Sequence, residues 1–78
     1  MTIYTYMTEM QQMCRRIAFM LEKEKSKLAR FYYAAATGFA MRALQITNLK
    51  HMPTINFTQI DSYWRTRTFL EKLEGAAK

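Results

Sequence analysis

Apolar side chains recur along the first part of the chain at alternating steps of four and three: Ile3, Met7, Met10, Cys14, Ile17 and Leu21. On a period of 3.6 residues these positions share one face, the stripe expected of a helix that buries one side. Tyr6, Met13 and Met20 widen the stripe along one flank. With Thr2 or Thr5 as the capping hydroxyl, the pattern predicts a helix over residues 3–24. The polar run Glu22-Lys23-Glu24-Lys25-Ser26-Lys27 then interrupts the stripe, and Ser26 suits the N-cap of a second helix. No glycine or proline enforces a turn there. One continuous helix over residues 3–49, needing a partner chain to cover its apolar side, stays open as the alternative.

In the second segment, Leu28, Phe31, Tyr32, Ala35, Phe39, Ala43 and Ile46 share a face, with Ala36, Ala40 and Leu44 beside it, so a helix is predicted over 27–49. A mid-helix glycine costs about 1 kcal/mol relative to alanine. Gly38, set among Ala34, Ala35, Ala36 and Ala40, therefore points to the close approach of another backbone, either at a helix crossing in the core or at a docking groove for a partner. Asn48 to Pro53 closes the helix. Asn56 and Gln59 have capping-box spacing, with Ile55 and Ile60 at the staple positions. A third helix over 57–74 carries Ile60, Tyr63, Trp64, Arg67, Leu70 and Leu73 on one face, with Gly75 as its stop and residues 76–78 frayed. The expectation is one all-α domain over residues 1–78, a small three-helix bundle whose third helix crosses the first two.

Composition narrows the chemistry. A 78-residue chain buries only ~60% of the surface its unfolded form exposes, so the core is thin. Cys14 is the single cysteine, which rules out an internal disulfide and suits a reducing, cytoplasmic setting. It falls on the buried stripe, where cysteine behaves as a small hydrophobe. His51 is the single histidine and sits in the loop before Pro53, so no zinc-type ligand set can form within one chain. Glu9, Glu22, Glu24, Asp61, Glu71 and Glu74 read as exposed surface or cap positions, and Gly38 and Gly75 stand too far apart for a phosphate loop. The start has no basic segment followed by an apolar run, and no uninterrupted apolar stretch reaches membrane-spanning length. We expect no catalytic residues, cofactor, metal, membrane span or small-molecule substrate. The expected protein is not an enzyme.

Charge and methionine content supply the rest. The net charge is +6, and residues 15–30 hold +4 of it through Arg15, Arg16, Lys23, Lys25, Lys27 and Arg30 against Glu22 and Glu24. Seven methionines stand in the chain, four of them on the first helix, and methionine suits adaptable protein-binding surfaces. The leading expectation is a regulatory or inhibitory protein that binds an acidic protein partner, or a second copy of itself, through Tyr6, Met10, Met13, Met20 and Phe69, steered by the basic patch. The alternative is sequence-tolerant nucleic-acid or nucleoid-associated binding through that patch. Tyr4, Tyr33 and Phe69 are the rings off the main stripes that stacking would use. Leu28-Ala29-Arg30-Phe31-Tyr32-Tyr33-Ala34-Ala35, followed by Ala40 and Met52-Pro53, is similar to the central helix of the Hha/YmoA family, small helical modulators of nucleoid-associated silencing proteins. The chain departs from that family at Ala36, Thr37 and Gly38, where the family carries acidic and basic residues, and in lacking its extra short helix. The resemblance implies a non-enzymatic role.

Overall fold

The computed structural model describes residues 1–76, which form three helices: α1 (Ile3–Lys23), α2 (Leu28–Ile46) and α3 (Phe57–Ala76). Both α2 and α3 pack against α1, giving an all-α bundle of 42 × 21 × 18 Å. The backbones of α2 and α3 do not approach each other, and side chains bridge them instead. The Tyr32 and Phe69 rings lie 6.0 Å apart.

The expected stripe of α1 is the core. Tyr6, Met7, Met10, Met13, Cys14, Ile17, Ala18 and Leu21 are all buried, and Ile17 is fully sealed at 0% exposure. Tyr6 meets Phe39 of α2 edge to face, with centroids 6.1 Å apart. The Thr5 amide donates to Thr2 Oγ1 at 3.2 Å, which makes Thr2 the N-cap.

The break between α1 and α2 is made without glycine or proline. Lys25 takes a left-handed conformation (φ 59°). Its amide donates to the Glu22 carbonyl at 2.9 Å, while the Ser26 amide reaches back to the Leu21 carbonyl at 3.0 Å. That pair of bonds is a Schellman motif, which satisfies the last carbonyls of a helix. The N-cap position of α2 is Lys27, which makes no side-chain capping bond, and the Ser26 hydroxyl one residue earlier accepts from the Leu28 amide at 3.2 Å.

α2 is shorter and turned relative to expectation. It ends at Ile46, three residues before the predicted boundary, where Thr47 caps it and donates its hydroxyl to the Leu44 carbonyl at 2.6 Å. The side that meets α1 is Ala29, Ala36 and Ala43, with Tyr32, Phe39 and Ile46 half-buried at its edge. Leu28, Phe31 and Leu44 are exposed. Small residues at a seven-residue spacing let α2 lie close on the bulky α1 stripe, and this outweighs the larger apolar side chains in setting the rotation. Gly38 is not at that crossing: a Cβ built on it meets nothing within 4 Å.

Asn56 and Gln59 form the reciprocal capping box of α3, with bonds of 2.9 and 3.0 Å. Just before it, the chain runs alongside the first residues. The Ile3 amide donates to the Pro53 carbonyl at 2.8 Å, the Ile55 amide donates to the Met1 carbonyl at 3.1 Å, and Thr2 and Thr54 form an isolated antiparallel bridge. Tyr63 and Leu70 bury α3 against α1, with Phe69 and Leu73 packed beside them. Gly75 does not stop the helix. It keeps a negative φ, so α3 runs through it to Ala76. The fraying expected at 76–78 falls, beyond Ala76, outside the described residues.

Candidate functional site

The bundle places the sequence candidates in three settings. Tyr6, Met10 and Met13 belong to the buried core, so substituting them damages packing before it touches any surface. Phe69 is half-buried against Tyr32. Met20, at the margin of the α1 stripe, is half-buried and borders open space. The apolar side chains free for contact are others. They include Phe19 on α1 and Phe31, Met41 and Leu44 on α2.

All six predicted basic residues are exposed. Arg15, Arg16 and Lys23 lie on the outward side of α1, opposite the buried stripe, at steps of three and four from Gln12 and Phe19. Lys25 and Lys27 stand in the turn and Arg30 on the first turn of α2. A groove of about 560 Å³ opens over that outward side, lined by Gln12, Arg15, Arg16, Phe19, Met20, Tyr33 and Glu74. Its floor is α1, with Tyr33 contributed by α2 and Glu74 by α3.

Polar contacts order this groove. Lys23 Nζ sits 4.6 Å from the centre of the Phe19 ring, a cation–π geometry. The Tyr33 hydroxyl donates to Glu22 Oε2 at 2.7 Å, and that bond raises the Tyr33 pKa, because it stabilises the protonated phenol. Arg16 pairs with Glu74, an ion pair that ties α1 to α3. Asp61 and Glu71 are engaged within α3 by Arg65 (2.9 Å) and Arg67 (3.2 Å). Among the described residues, Arg15, Lys23, Lys25, Lys27 and Arg30 form no ion pair.

Burial pushes the Cys14 thiol up and leaves it protonated inside the core, the opposite of what a nucleophilic thiolate requires. His51 is exposed in the loop between α2 and α3. Among the described residues there is no cluster of three His, Cys, Asp or Glu side chains, and no helix is long and apolar enough to cross a membrane. What the groove provides is an aromatic floor bordered by cations.

Tyr33 was legible in the sequence as a ring off the main stripes; Phe19 was not. Its signal was its position: an aromatic residue on the polar side of an otherwise well-segregated helix, between Arg16 and Lys23. Glu74 carried no such signal, because only the packing of α3 brings it to Arg16. Compared with protein-family models, curated proteins and solved structures, the chain matches none, so the likeness of its second segment to the Hha/YmoA family carries no argument.

Proposed function

We propose that this chain is a non-enzymatic regulatory protein that binds an acidic segment of a partner protein in the α1 groove. The observation that carries this reading is the joint placement of the half-exposed Phe19 ring (54%) with Arg15, Arg16 and Lys23 on the one side of α1 that faces away from the core. Aromatic anchors supply most of the affinity at protein interfaces, and charges around them set association rate and partner choice. The Arg16–Glu74 pair supports the reading further, since a carboxylate presented by a helix already fits this cation. An amphipathic helix bearing Asp or Glu on either side of an apolar residue matches the groove in shape and charge.

Exposed rings beside cations also suit single-stranded nucleic acid. Stacking along a strand uses a series of rings, and of the residues lining the groove only Phe19 and Tyr33 supply one, which favours the protein reading.

Capture from native lysate with and without nuclease, using wild type, Phe19→Ala and the double variant Arg15→Glu/Lys23→Glu, tests the choice. A nuclease-resistant protein should be retained by wild type, weakened roughly thirtyfold by Phe19→Ala, as for a hot-spot residue, and lost with the double variant. Retention that vanishes with nuclease, and falls by about one power of salt per phosphate neutralised, would overturn the protein reading in favour of nucleic acid.

A further inference from the structure

The turn that joins α1 to α2 carries charge and apolar surface together. Lys25, Lys27 and Arg30 are exposed there, and none of them forms an ion pair among the described residues. Glu22 accepts from Tyr33, which leaves Glu24 as the counter-charge within the turn. Lys27, Arg30 and Phe31 stand at steps of three and four, so they share one side of the first turn of α2, with Leu28 beside them. Phe31 is 69% exposed and Leu28 53%. Two large apolar side chains are thus set among cations at the free end of a helical hairpin.

The residue at the bend sharpens the picture. A φ of 59° suits glycine, yet the position holds Lys25, whose side chain makes that conformation costly. Backbone strain that local structure does not require points to a use for the side chain that carries it.

We propose that this tip docks on an anionic lipid surface. Lys25, Lys27 and Arg30 meet the headgroups, and Phe31 and Leu28 dip into the interface between headgroups and chains. Charge attraction joined to buried apolar area is the combination that holds a protein reversibly on such a surface. Leu28 separates this partner from nucleic acid, because bases stack on ring faces and an aliphatic side chain has none, whereas a lipid interface takes up both side chains. The tip is distinct from the α1 groove, whose cation Lys23 lies over Phe19. The proposal therefore goes beyond the groove reading and does not depend on it.

Co-sedimentation of the full chain with sucrose-loaded vesicles tests it. Wild type should partition onto phosphatidylcholine vesicles containing about one-third phosphatidylserine and ignore pure phosphatidylcholine, with binding that weakens as salt rises. Lys25→Gly, which relaxes the bend, should bind about fivefold more weakly, the share of one cation. Lys25→Gly/Lys27→Gln/Arg30→Gln should lose about a hundredfold. Phe31→Ser keeps every charge and should lose roughly tenfold, the transfer of one exposed ring. Phe19→Ala, which alters only the groove, should bind vesicles like wild type. Circular dichroism should show each variant as helical as wild type, since all these side chains are exposed. A wild type that ignores the anionic vesicles overturns the proposal. So does a Phe31→Ser chain that binds them undiminished, a Phe19→Ala chain that has lost them, or a wild type that prefers a single-stranded oligonucleotide to the vesicles.

Discussion

Lys25 shows how one residue decides the topology. Its left-handed backbone lets the Leu21 and Glu22 carbonyls be satisfied from beyond the helix end, turning a chain that could have continued into a hairpin. A side chain in that conformation costs about 1–2 kcal/mol, whereas glycine adopts it freely and loses roughly 0.5–1 kcal/mol through its floppier unfolded chain. Lys25→Gly is therefore expected to stabilise the fold by about 0.5–1 kcal/mol, read from the urea midpoint at unchanged slope. Lys25 is fully solvated and pairs with no carboxylate among the described residues, so losing its charge removes no contact. A destabilised variant would mean that the turn is held by something other than this backbone geometry.

At the scale of the element, α2 carries the lesson about what a sequence reveals. The α1 stripe was legible because its apolar and polar residues segregate sharply, and the capping box at Asn56 and Gln59 because its two side chains satisfy each other locally. α2 has apolar residues on every side, so periodicity predicted a helix without predicting its rotation. The side turned to α1 was decided by closeness of approach, through Ala29, Ala36 and Ala43, which depends on the shape of another helix. The candidate site missed for a different reason: α2 and α3 together cover the whole breadth of the α1 stripe, so Tyr6, Met10 and Met13 are core and leave no excess apolar face there for a partner. A pair of substitutions two residues apart reads the rotation directly. Ala36→Leu should overpack the α1–α2 contact and destabilise by about 1–3 kcal/mol, while Gly38→Leu, which points into open space, should leave thermal stability equal or higher. Equal losses at both positions would place Gly38 inside the packing instead.

For the whole molecule, the core rests largely on α1, and that helix buries two groups that must stay neutral. Tyr6 and Cys14 both have raised pKa values, each chiefly through burial; a bond from Ser62 partly offsets the rise at Tyr6. In the unfolded chain the thiol and phenol return to their ordinary values of about 8.5 and 10. As pH rises the unfolded state loses these protons first, so it binds fewer protons than the native state, and stability falls with pH. Their contribution is fully present below the ordinary thiol value and is lost progressively as pH rises through the phenol range towards the raised native values. Tyr33 is also raised, but its ring borders the open groove and its shift comes first from its bond to Glu22, so water screens its share. The double variant Cys14→Ala/Tyr6→Phe isolates this contribution, because it keeps the net charge of +6 and removes both buried acids. Its melting midpoint should be lower than wild type at neutral pH, for the packing it loses, yet flatter between about pH 8 and 11. Matching slopes in the two proteins would show that the alkaline loss arises at the surface and not in the α1 core.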